Sequence, residues 1–172
     1  MAEGLLSDVF FDRAVARWSE ALRARESDRA GAAAESLAVS MAAFGVTADA
    51  LPALALSSLV EVAWSDGDLD VPERTAVLAG VEAAGLVAGS AGHGLVQTWL
   101  EACPPPELFA LGREYRRQLS ADLSVETRFR VREHLVDAAR SVAEASGGFL
   151  GMRAVSSEEE AVLEQLDEDF GL

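Results

Sequence analysis

Lysine is absent from this 172-residue chain, whose 14 basic residues are all arginine against 29 aspartates and glutamates. The missing lysines fit genome composition as much as selection and carry no chemistry of their own; the resulting net charge of -15 does. Phosphodiester backbones and anionic lipid are both held by positive surface, so a general nucleic-acid or lipid-adhesion role is disfavoured. Cysteine is nearly absent as well. Cys103 alone permits neither an intramolecular disulfide nor a cysteine-rich zinc site, and Pro104-Pro105-Pro106 directly after it marks a thiol at a helix end. Long apolar runs are missing: residues 51–60 fall well short of the roughly 20 needed to span a bilayer. Glu3 and Asp8 interrupt the amino terminus where a secretory signal would place a basic region and an apolar core. The expectation is a soluble cytoplasmic protein without direct membrane insertion. Aromatic residues contribute only 6%, which favours closely packed helices over a core filled by large rings.

An apolar fraction of 50% in a chain of this length is ample for one compact domain. Its organising stretch is Glu61-Val-Ala-Trp-Ser-Asp66-Gly-Asp68-Leu-Asp70-Val-Pro-Glu73. Before it, Leu56, Leu59, Val60 and Ala63 follow a 3.6-residue period that Asp66-Gly67 ends as a turn. After it, Asp70 is placed to cap a new helix, Pro72 lies in the first turn where its missing donor costs little, and Glu73 stands three residues beyond the cap. Asp66, Asp68 and Asp70 are thereby collected on a short acidic elbow with Glu73 at the mouth of the next helix. Such a cluster faces water, recruits a cation or receives a basic partner.

A weaker version closes the chain. Val142 to Gly147 ends a long periodic segment as Val62 to Gly67 does, and Ser156 with Glu159 repeats the spacing of Asp70 with Glu73. Asp70, Glu73, Gly85 and Leu86 map onto Ser156, Glu159, Gly171 and Leu172 at one offset of 86 residues. The apolar pattern inside the second helix slips by one position, and its connection, 147–155, is longer. This reads as an imperfect duplication of a helix-elbow-helix unit, although good caps also look alike in unrelated helical proteins.

The stretch 62–73, followed by Val77, Leu78, Val81 and Gly85-Leu86, resembles the signature of the tellurite-resistance TerB-like family, an alanine, aspartate, glycine, apolar, glutamate elbow that recurs near the domain end. The resemblance covers residues 30–172, with residues 1–29 as an additional helix packed on the domain. The second elbow departs from the pattern, since Ser146 and Gly148 stand where the first has Asp66 and Asp68. The resemblance implies an all-α, multi-helix domain that works beside other proteins in metal-related or envelope stress responses, with acidic residues handling a cation and no catalytic reaction carried over.

In chain order, Phe11, Val15, Trp18 and Leu22 form a first helical stripe, and Ala30, Ala34, Leu37, Met41 and Phe44 a second that ends at Gly45. Helices are expected over 49–65 and 71–84. Residues 87–94 form a glycine-rich connection that lacks the order of a phosphate-binding loop. A short helix follows over 95–102, another from Pro106 with Leu108, Leu111, Tyr115 and Leu119 inward, and the longest over 124–145. Val162, Leu163, Leu166 and Phe170 face inward on the last helix, with Glu158 to Glu160 and Asp167 to Asp169 solvated. Six arginines between 113 and 132 stand against Glu114, Asp122 and Glu126. Arg113, Arg116, Arg117, Arg128 and Arg132, with Glu61, are therefore candidates for contact with a protein partner, or else they neutralise the chain's own acidic elbows.

Candidate catalysis is thin. His93 and His134 lack a metalloprotease companion or a nearby cysteine, and an open elbow gives carboxylates no reason to be tuned for acid-base work. Asp66, Asp68, Asp70 and Glu73 offer hard oxygen ligands suited to calcium or magnesium. The calcium-loop template fails, because Val71 falls on the sixth-position glycine and Val77 on the twelfth-position glutamate. The leading reading is a non-enzymatic interaction module with cation-dependent affinity; the alternatives are a primary divalent-cation binding domain and, remotely, a helical carboxylate enzyme.

Overall fold

The computed structural model describes residues 39–146 and 155–171, and every regular element among them is helical. The expected stripes at 11–22 and 30–37, the additional helix at 1–29, the connection at 147–154, the Ser146 side chain, Gly148 and Leu172 lie outside the described residues. Residues 39–43 are helical. Gly45, at φ 72°, reverses the chain there, and the Val46 N–H donates to the Met41 carbonyl at 3.0 Å, closing the helix end.

A 3-10 turn at Ala48–Ala50 leads into α1 (Leu51–Ala55) and α2 (Ser57–Ala63). The continuous helix expected over 49–65 is broken at Leu56, whose N–H reaches back three residues to the Ala53 carbonyl at 3.1 Å. Every residue from Ala53 to Val60 is buried. A segment buried around its whole circumference, apolar but for Ser57 and Ser58, has no face to show water, so it becomes the axis on which the others pack. Accordingly α2 touches α3 (Val71–Ala83), α4 (Ala91–Glu101), α5 (Pro106–Asp122), α6 (Val125–Ser146) and α7 (Ser157–Glu168).

The elements around this axis are set by local chemistry. Gly85 at φ 100° ends α3, with the Leu86 N–H donating to the Val81 carbonyl at 2.9 Å. The expected loop at 87–94 is shorter than its glycines suggest: the Ser90 hydroxyl accepts the His93 N–H at 3.2 Å and starts α4 at Ala91. Cap chemistry outweighs the propensity cost of Gly92 and Gly94 in the first turn, and His93 is consequently buried. Pro106 opens α5, and the Ser124 hydroxyl accepts the Thr127 N–H to cap α6. Val77, Val81, Val96, Leu100, Leu108, Tyr115, Leu119, Val131, Leu135, Val142, Leu163, Leu166 and Phe170 fill the core. No helix among the described residues is long and apolar enough to cross a membrane.

Candidate functional site

The elbow between α2 and α3 is built by its own carboxylates. Gly67 adopts φ 94°, its N–H donates to the Trp64 carbonyl at 3.0 Å, and Asp66 Oδ1 accepts the Asp68 N–H at 3.1 Å. Asp66 and Asp68 are exposed. Asp70 Oδ1 accepts the Glu73 N–H at 2.8 Å while Glu73 Oε2 accepts the Asp70 N–H at 2.9 Å, a reciprocal capping box at the start of α3. Glu73 is only 3% exposed. Burial pushes its carboxyl up from 4.5 to about 7 against the hydrogen bond from Asp70, and the charges of Asp70, Asp66 and Glu159 push the same way as burial.

Glu159 belongs to the second helix start. The Ser156 hydroxyl accepts the Glu159 N–H at 3.1 Å and Glu159 Oε2 accepts the Ser156 N–H at 2.6 Å, so α7 opens with a capping box of the same form. Glu159 is 5% exposed. The fold thus brings two buried glutamates, each at the third residue of its helix, within electrostatic reach of one another. This proximity spans 86 residues of sequence and is invisible to any local pattern.

The four carboxylates proposed as metal ligands lie on one elbow but do not converge. Among the described residues no group of three histidine, cysteine, aspartate or glutamate side chains is arranged to hold a metal ion. Asp66, Asp70 and Glu73 already serve backbone N–H groups. A cation at the elbow would therefore rely on rotation of the exposed Asp66 and Asp68 side chains.

The arginines are placed very differently from one another. Arg113 Nη1 meets Glu61 Oε1 at 2.5 Å, and Arg132 Nη2 meets Asp167 Oδ1 at 2.5 Å. Arg128 Nε donates to the Ser120 carbonyl at 3.1 Å. Arg117, half exposed, lies 3.3 Å from Glu114 and 3.5 Å from Asp169. Arg116, expected on the surface of α5, is instead 1% exposed: Nε and Nη2 both reach Asp169 Oδ2, at 2.9 and 2.8 Å, and Nη1 donates to the Ser57 hydroxyl at 3.2 Å. Gly112 makes this possible, because a Cβ there would stand 2.1 Å from Ser57 Oγ.

Asp169, expected in solvent, is likewise buried. Burial pushes its carboxyl up and the Arg116 guanidinium down, and each opposes the other's drift toward neutrality. The pair joins α5 to the end of α7 across 53 residues. The one sequence signal for it was register: Asp169 stands three residues after the core residue Leu166 and directly before the core residue Phe170. His134, exposed on α6, has Nδ1 2.8 Å from the Arg130 carbonyl, and His93 has Nε2 3.4 Å from Glu82 Oε1. No family model, curated protein or solved structure matches this chain.

Proposed function

We propose that this chain is a non-enzymatic TerB-like protein-interaction module, acting in metal-related or envelope stress responses, with a cation-dependent contribution to affinity from the first elbow. The observation that carries the reading is the pair of helix starts: Asp70 with Glu73 and Ser156 with Glu159 form the same reciprocal box, each burying its glutamate, in an all-helical domain. A pseudo-repeated helix-elbow-helix unit accounts for both with one construction. The exposed carboxylates of Asp66 and Asp68 project from the first elbow, while Arg113, Arg116, Arg128 and Arg132 are held by internal partners. With a net charge of -15 on the whole chain, that elbow suits a basic partner or a divalent cation better than an acidic one.

The test is an Asp66→Asn with Asp68→Asn variant, which removes charge with little change in size. Capture of a native partner should weaken in parallel crosslinking of variant and wild type, with the helical circular dichroism unchanged. Calorimetric titration with calcium and magnesium separates the alternative. A site that binds either ion tightly without any partner, and loses it in the variant, would make this primarily a cation-binding domain.

A further inference from the structure

The interaction-module reading, on which this inference rests, leaves open where a partner docks. Helices α6 and α7 run antiparallel: Arg132 pairs with Asp167 near the end of α7, whereas Arg140 and Glu160, eight residues on along α6 and seven back along α7, line the same groove. That groove is open and holds about 410 Å³. Val136 and Leu163 form its apolar floor. Glu160, Glu164 and Glu168 stand along one rim at four-residue intervals, all exposed, in a row with about 6 Å between steps. Arg140 is the one cation among the described residues that line it.

A second observation is apolar and independent of that row. Residues 125, 129, 132, 136 and 140 share one face of α6 by helical spacing. Val125 and Phe129 are 63% and 50% exposed there, so they continue the line of the groove floor beyond Arg132. Single exposed apolar side chains are ordinary, but a valine and a phenylalanine one turn apart, in line with a groove, form a patch suited to burial by a partner.

We infer that the α6/α7 groove docks a basic amphipathic helix of a partner protein. The channel between two antiparallel helices accepts a third helix lying along it, and a four-residue carboxylate period matches arginines or lysines at i, i+4 and i+8. The partner's apolar stripe meets Val136 and Phe129. Charge complementarity selects a foreign helix over a second copy, because a chain of net charge -15 sets acidic surface against this acidic rim.

The test uses the full chain and a fluorescein-labelled synthetic helical peptide, with leucines along one face and three arginines four residues apart, read by fluorescence anisotropy. Glu160→Gln with Glu164→Gln, and separately the exposed Phe129→Ser, should each weaken binding roughly tenfold, while Glu101→Gln with Glu107→Gln, an equal charge loss elsewhere, changes it by less than about twofold. Circular dichroism and thermal unfolding verify that each variant is folded. Equal weakening by the two glutamine pairs would reduce the effect to bulk charge and overturn the inference. So would absence of binding to the wild type, or self-association in sedimentation that Phe129→Ser abolishes. Binding indifferent to the groove but lost in Asp66→Asn with Asp68→Asn would overturn the groove while leaving the interaction-module reading intact.

Discussion

Replacement of Glu73 by glutamine should make the protein more stable at neutral pH and leave it nearly unchanged in acid. Glu73 is 3% exposed, and its carboxyl rises from 4.5 to about 7 chiefly because burial strips water from the charged form. Below about pH 4.5 both folded and unfolded chains hold the proton, and the group contributes no penalty. Between about 4.5 and 7 the fold keeps a proton that the unfolded chain has released, so stability falls as pH rises. Above about 7 both states are ionised and the loss is complete. At about 1.4 kcal/mol per pH unit, the full penalty is about 3 kcal/mol, reduced by up to about 1 kcal/mol because a carboxylate at a helix start also gains from the helix dipole. Glutamine keeps the acceptor that the capping box requires and cannot ionise. Urea unfolding of wild type and variant from pH 4 to 8.5 isolates this one group as a difference, which should grow by about 2 to 3 kcal/mol in favour of the variant. A pH-independent difference, or one that grows toward acid, would refute the argument that burial dominates the capping hydrogen bond.

Arg116→Ala should destabilise the fold by about 3 to 5 kcal/mol by leaving Asp169 buried beside only the 3.5 Å contact of Arg117, whereas Arg116→Met combined with Asp169→Leu should recover most of that loss, as measured by a double-mutant cycle in urea. Gly112→Ala should cost about 1 to 3 kcal/mol, because its Cβ would stand 2.1 Å from Ser57 Oγ, and a further Ser57→Gly change should restore part of the thermal midpoint.

Local chemistry was legible where its partners are close in sequence. The box of Asp70 with Glu73, that of Ser156 with Glu159, and the helix stops at Gly45 and Gly85 all involve hydrogen bonds between residues a few positions apart, so spacing alone identifies them. The helical periodicity of Val131, Leu135 and Val142, or of Leu163 and Leu166, likewise states which face turns inward. The start of α4 is less legible, because Gly92 and Gly94 have low helix propensity while the capping signal of Ser90 is just as local.

What the chain order cannot state is which faces meet. Sequence alone places Arg116 on the surface because arginine is costly to bury; only a fold that sets Asp169 and Ser57 against it, with Gly112 yielding space, makes its burial tolerable. The same holds for the two capping glutamates, whose spacing was written in the sequence but whose mutual repulsion depends on α3 and α7 starting near one another. It holds too for the groove, since Phe129 and Glu164 lie on helices that become neighbours only through packing on the buried axis of α2. Caps, turns and periodicity follow from short-range sterics and hydrogen bonding and are therefore set by sequence alone; burial, charge coupling and groove shape depend on contacts between residues dozens of positions apart, which exist only once the helices have packed.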